Sequence, residues 1–323
     1  MFEFDVGRYT IVNMTTTQPY SIRNVLAAVD FSPLGFNALQ TAIAISKQHQ
    51  ASLTVIHVIE NSYVLSSPET GDVTGNVLQQ VIQNADKNLG ELAEYLRNEH
   101  GISVDHAVQS GNPADEICRW SLHHHADLIV AGTHGDSGIR EFFMGSNAYR
   151  IVKNSPCPVM TIPGYQQWLD FKKVLFPIRM VPHALDKYDM VRPIIQKTGA
   201  SMMIAGIVKD GDKAAVGKMN SIVDNVRVRI NEDHVACTSN VYPCEHVSKQ
   251  VLKIAEQDKP DLIVITATLD TSVKDFFLGP YTQDIVNHAH VPVLSIRPQE
   301  AGEGTAAFKG YLEEITRDLM ATV

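Results

Sequence analysis

A chain of 323 residues, 44% hydrophobic and 20% charged, has the make-up of an ordinary globular protein and the length of two domains. Its net charge of −9 repels nucleic acids and anionic membrane surfaces, and no basic patch interrupts it, so neither is expected as a partner. No apolar run reaches the roughly 20 residues that span a bilayer and the start lacks a signal-peptide pattern, which predicts a cytoplasmic protein.

Taken in chain order, residues 1–21 read as a flexible leader. From 22 to 163, short apolar runs near 24–29, 52–58, 103–109, 127–131 and 158–162 alternate with helical patterns near 33–49, 77–99, 113–124 and 146–154. Such alternation implies right-handed crossovers and a parallel sheet covered on both faces. The continuous apolar runs of Val25–Val29 and Leu128–Ala131 fit strands buried on both sides. Ser32 and Pro33 mark the N-cap and first turn of the opening helix. Residues 164–172 form a linker in which Trp168 and Phe171 are expected to pack down. A second domain covers 173–298, and 299–323 reads as a polar stretch followed by an amphipathic helical tail.

The second domain repeats the first. Val25, Leu26 and Pro33 meet Val174, Leu175 and Pro182 at an offset of 149, while DLIV at 127–130 meets DLIV at 261–264 at an offset of 134. The first copy is therefore about 15 residues longer in its middle (149 − 134), an excess expected in the Ser/Gly/Pro-rich loop 62–76.

One stretch distinguishes the copies. GTHGDSGIREFFMGS, Gly132 to Ser146, follows a buried strand and opens a helix, whereas its counterpart is TATLDTSVKDFFLGP, Thr266 to Pro280. Glycine after a strand lets a ligand approach the main chain, and the N-terminus of the following helix favours an anion. Two such places hold a polyphosphate between them. The structural alternative is that the glycines merely permit a tight loop, but Thr266 and Leu269 at the matching positions show that the repeat does without them.

Gly132, Gly135, Gly145 and Ser146, together with Asp30 in AAVDFSP, resemble the nucleotide motif of the universal stress protein (UspA-type) family. The resemblance covers nearly all of 22–163 and, more weakly, 172–298. It implies two tandem α/β domains, each a five-stranded parallel sheet of the Rossmann-like, adenine nucleotide α-hydrolase-like kind, paired through VMTI (159–162) and VLSI (293–296) as an intramolecular pseudo-dimer. It also implies ATP as ligand, with AMP and ADP as related candidates and Mg as accompanying ion, and Asp30 against the nucleoside at the topological switch point. Further homodimerisation and unnamed protein partners belong to the same expectation.

Other candidates around that crevice carry plainer readings beside the functional one. Ser32 caps its helix, His57 is a strand-end histidine, and Gly111 serves a turn or approaches the ribose. His134 and Arg140 lie in the motif loop, within reach of phosphate oxygens or of solvent alone. His123, His124 and His125 are a polar helix end, since adjacent helical residues do not converge on one ion, and Cys118, Cys157, Cys237 and Cys244 form no CxxC pair; no metal site is expected.

In the second copy Asp30 becomes Arg179, Gly132 becomes Thr266, Gly135 becomes Leu269 and Ser146 becomes Pro280; only Gly145 persists, as Gly279. A nucleotide site is not expected there, although Arg179 is suited to a different anion. No Walker, GxSxG or HExxH pattern occurs, so the chain is not expected to be an enzyme. The expectation is a nucleotide-responsive stress or regulatory protein, with a nucleotide-free scaffold and a weak ATP hydrolase as rivals.

Overall fold

One sequence device starts each half. At the head of the first strand, the carboxylate of Asp127 accepts the backbone N–H of Arg23 at 2.8 Å and of Asn24 at 2.9 Å. Its counterpart Asp261 holds Lys172 and Lys173 at the same two distances. The aspartate of each DLIV motif thus ties two neighbouring strands together at their entry, which explains why both copies keep it.

The computed structural model describes residues 19–60, 74–133, 145–164, 166–181, 185–270 and 277–297. The first half runs β1 (Asn24–Ala28), α1 (Pro33–His49), β2 (Ser52–Ile59), α2 (Thr74–His100), β3 (Val104–Ser110), α3 (Pro113–His123), β4 (Leu128–Gly132), α4 (Ser146–Asn154) and β5 (Val159–Ile162). The second runs β6 (Lys173–Ile178), α5 (Lys187–Thr198), β7 (Ser201–Lys209), α6 (Lys213–Glu232), β8 (Cys237–Cys244), α7 (Val247–Asp258) and β9 (Leu262–Thr266). It closes with a short ladder of β10 (Leu269–Asp270) and β11 (Phe277–Leu278), then α8 (Pro280–His288) and β12 (Val293–Ile296).

Ten strands form one sheet in the order β3-β2-β1-β4-β5-β12-β9-β6-β7-β8. Within this sheet every pairing inside a half is parallel. The halves meet where β5 and β12 run antiparallel, with Met160 opposite Leu294, so the expected pairing of 159–162 with 293–296 is what joins them. One large core, with Leu39, Leu53, Met160, Phe176, Val191 and Leu294 among its members, runs across both halves on one face of the sheet. Two smaller cores lie apart from it, one within the second half and one in the first half that also takes in Ala267 and Leu278 of the second.

Local chemistry sets the element boundaries. Ser32 Oγ accepts the Gly35 N–H at 3.0 Å to start α1, and Pro33 fills the first turn. The helix ends at Gln50, whose φ of 54° turns its N–H back onto the Ser46 and Lys47 carbonyls. Asn112 and Pro113 repeat this arrangement at α3. The linker does pack down: Trp168 and Phe171 are buried in the shared core, and Asn37 Nδ2 donates to the carbonyls of Gly164 and Gln166, both at 2.9 Å.

Two expectations shift. Tyr20, inside the stretch read as a leader, packs on the core and its hydroxyl donates to the Asp127 carbonyl at 2.6 Å; residues 1–18 lie outside the described residues. The extra length of the first half is shared between loop and helix. α2 has 27 residues against 20 for α6 and begins at Thr74 rather than 77. Residues 61–73 lie outside the described residues.

His49, near the end of α1, faces the other half. Burial, then the charge of Lys197 on α5, lowers its pKa from 6.5 to about 4. Its folded value lies below its unfolded one, so the unfolded chain binds the extra proton first and stability falls as pH drops from about 6.5 toward about 4. His49→Gln is expected to flatten that part of the pH profile of the urea midpoint; an unchanged profile would remove His49 as its source.

Candidate functional site

The C-terminal ends of β1 and β4 lie side by side, Ala28 pairing with Ala131. Sequence order reverses here: β1 is followed on one side by β2 and on the other by β4, and such a switch point opens a crevice at the strand ends. Asp30, Ser32, Gly111, Gly132, Gly145 and Ser146 lie on segments at this end of the sheet, and His57 lies inside β2, opposite Val108. Gly135, His134 and Arg140 lie outside the described residues.

Asp30 is exposed, two residues past β1. Its Oδ1 accepts the N–H of Ser32 at 3.0 Å and the Ser32 hydroxyl at 2.5 Å. Since Ser32 Oγ also takes the Gly35 N–H, the serine hydroxyl is committed to the turn, and its role here is that of a cap and a brace for the carboxylate. Gly35 is required by the same arrangement: a Cβ there would lie 2.3 Å from Asp30 Oδ1. Asp30 is therefore held in position by the turn, while the rest of its carboxylate remains on an exposed residue.

His57 Nδ1 lies 2.8 Å from the Val29 carbonyl, which fixes the ring. Phe31 leans over it with ring centroids 4.6 Å apart, and Phe36 lies 6.4 Å from Phe31. Phe31 holds a left-handed φ of 60° and is 39% exposed. A bulky residue in that region is strained and belongs to turns or functional sites. Sequence reading passed over Phe31, because no periodicity marks a single aromatic between Asp30 and Ser32.

Gly111 follows β3 with φ of 145°, and a Cβ would meet Glu116 Oε1 at 2.7 Å. The turn accounts for this glycine. Glu116 itself is buried and paired with Arg119; burial raises its carboxyl pKa against that pairing.

Gly132 is the last residue of β4, opposite Ile162. The chain returns at Gly145, whose N–H donates to the Thr133 carbonyl at 2.8 Å and whose φ of −57° and ψ of 149° cap α4 without any side-chain hydrogen bond. Among the described residues no side chain caps the first turn of α4, and Ser146, exposed, stands at its first position. α4 is anchored from behind: Arg150 Nη2 donates to both oxygens of Asp115 at 2.8 Å, and the Tyr149 hydroxyl accepts the Leu278 N–H of the other half at 3.0 Å.

At the corresponding end of the second half an arginine stands where the first half has a carboxylate. Gly279 caps α8 with nearly the same angles, φ of −58° and ψ of 147°. Arg179, where the first half has Asp30, lies over the Tyr281 ring at 3.7 Å and donates through Nη2 to the Thr266 carbonyl at 3.2 Å and Thr268 Oγ1 at 3.3 Å. Burial pushes the Tyr281 hydroxyl up to about 12, with Arg179 opposing the shift. Among the described residues no group of three or more His, Cys, Asp or Glu is placed to hold a metal. His124 stacks on Trp120 at 3.9 Å and His125 leaves the helix with φ of 51°, so the histidine run is a helix end.

The model of the universal stress protein family matches residues 21–163 and 231–297, together more than half of the chain. The chain belongs to this family. Among similar proteins, a universal stress protein of Methanocaldococcus jannaschii is 30% identical over 158 residues, 48% of this chain and 91% of that one. A universal stress protein of Bacillus subtilis is 32% identical over 143 residues, 43% of this chain and 97% of that one. Each relative thus matches about half of this chain, as expected for two family segments in tandem. The crystal structure of a universal stress protein from Archaeoglobus fulgidus superposes with a TM-score of 0.68 over 85% of this chain and 98% of that one, at 20% identity, which establishes the fold alone. The unmatched stretch between the two universal stress protein segments holds β6, α5 and β7, and with them Arg179. No helix among the described residues is long and apolar enough to cross a membrane.

Proposed function

We propose that the first half of this universal stress protein binds an adenine nucleotide, ATP foremost, across the ends of β1 and β4, and that the protein acts as a nucleotide-responsive stress regulator. One comparison carries the reading. Gly145 and Gly279 cap their helices with nearly identical backbone angles, yet only the first half adds an exposed serine, a strand-exit glycine and a carboxylate beyond β1. Fold requirements alone do not explain that difference. A phosphate chain does: Gly132 leaves room beside the main chain, while Gly145 and Ser146 present the helix N-terminus. Asp30, braced by Ser32, is placed for a nucleoside hydroxyl, and the exposed Phe31 ring offers an apolar face for a base.

On this reading the domains are 22–163, which binds, and 173–298, which pairs with it through β12. The role is binding rather than turnover. Mass spectrometry of ligand released from purified protein, with a thermal-shift titration by ATP with and without Mg, tests it. A released adenine nucleotide or an ATP-dependent rise in Tm is expected. Absence of both at millimolar ATP overturns the proposal in favour of a nucleotide-free scaffold.

A further inference from the structure

Among the described residues, Lys187 and Arg179 of the second half form no ion pair with a carboxylate, and both are at least partly buried. Lys187 is 2% exposed, and its Nζ donates to the Pro177 carbonyl and lies 4.4 Å from the centre of the Phe176 ring. Arg179, partly buried, bonds only to the neutral oxygens of Thr266 and Thr268 and to Tyr281. The nearby acids Asp189 and Asp233 are engaged by Arg229 and Arg192. Burial, and then the like charge of Arg179, holds the Lys187 amine well below the ordinary lysine range.

Such an arrangement is unfavourable for the fold by itself, since a buried charge normally has a partner. Nor does the architecture require it. The first half builds the same strand–helix unit with Asp30 and Ala38 at the two matching positions, Ala38 being fully buried without charge. Two hydroxyls add to the imbalance. Thr266, whose carbonyl Arg179 holds, and Thr282, next to Tyr281, are buried with Oγ1 unpartnered. Native interiors rarely leave such groups without a reason.

We infer that the end of the second half's sheet is an anion site, which takes a small phosphate-type oxyanion on the partly exposed guanidinium of Arg179, with Lys187 adding the second charge. The ligand is free phosphate or a phosphate monoester. It differs from the nucleotide proposed for the first half in needing no glycine loop, which the second half lacks.

Equilibrium dialysis with radiolabelled inorganic phosphate tests the inference in the full chain carrying Gly132→Val. That background disables the crevice of the first half, so the result stands whether or not ATP binds there. About one phosphate per chain is expected, with Kd near 1 mM or tighter. Arg179→Gln in the same background is expected to weaken binding by about tenfold or more, and Lys187→Met severalfold. If Arg179→Gln loses its far-UV circular dichroism, Thr266→Val, which exchanges an unpartnered hydroxyl for a methyl group, replaces it with a severalfold loss expected. Displacement of the label by glycerol phosphate more readily than by unlabelled phosphate assigns the ester; the reverse assigns the free ion. No binding at about 10 mM phosphate, or binding unchanged by the Arg179 and Lys187 substitutions, overturns the site.

Discussion

Gly145→Val is expected to weaken ATP binding by about a hundredfold or more, roughly 2.7 kcal/mol, while Gly279→Val leaves it within twofold. The two glycines share their backbone angles, φ near −57° and ψ near 148°, which valine adopts without strain. Loss of affinity in the first variant therefore reports the new side chain at the mouth of α4, not a distorted backbone. Gly279→Val meets a steric obstacle. Its Cβ would lie 3.1 Å from the Thr268 carbonyl, a backbone atom that cannot swing aside. This variant is expected to lower stability by about 1–3 kcal/mol without touching ATP. Isothermal titration with ATP, beside urea unfolding of both variants, separates the effects. Equal loss of affinity in the two would show that the glycine serves the fold alone, and the nucleotide reading of Gly145 would fall.

Much of this contrast is legible before any coordinates. Short apolar runs such as Leu128–Ala131 announce strands buried on both faces, and Ser32–Pro33 announces a helix start, because both depend on chemistry within a few residues. The pairing of β5 with β12 is implied by the resemblance to universal stress proteins rather than by the residues themselves, and the structure has it. What the sequence hides is anything that depends on neighbours brought from afar. Gly111 reads equally as a turn glycine or as a close approach to a ribose, and only the fold places the Glu116 carboxylate where its Cβ would stand. The N-cap role of Ser32 is readable locally, but not that its hydroxyl also donates to Asp30. Lys187 gives no signal at all: in a helical stretch a lysine reads as solvated, and only tertiary packing puts its amine beside Phe176 and Pro177. Tyr149 is similar, since nothing local foretells that its hydroxyl accepts from Leu278 of the other half.

The same distinction governs the second large effect, at the junction of the halves. Leu294 on β12 is 1% exposed and pairs in register with Met160 on β5. It belongs to the core that runs across both halves, with Ile162 on one side of the junction and Val264 on the other. Leu294→Ala removes buried apolar atoms where neither sheet edge relaxes freely, because each is held by its own parallel partner, β4 or β9. A loss of about 2–5 kcal/mol is expected from the transfer and cavity contributions together. Leu169→Ala in the linker serves as comparison: Leu169 is 48% exposed, its structural hydrogen bond uses the backbone carbonyl, and the change should stay within about 0.5 kcal/mol. Because sheet and core are continuous, urea unfolding followed by tryptophan fluorescence, which reports on Trp120 and Trp168, and by circular dichroism should move together for Leu294→Ala. A variant whose two signals separate, or which loses no more stability than Leu169→Ala, would mean that the halves fold as independent units and that the antiparallel junction adds little to either.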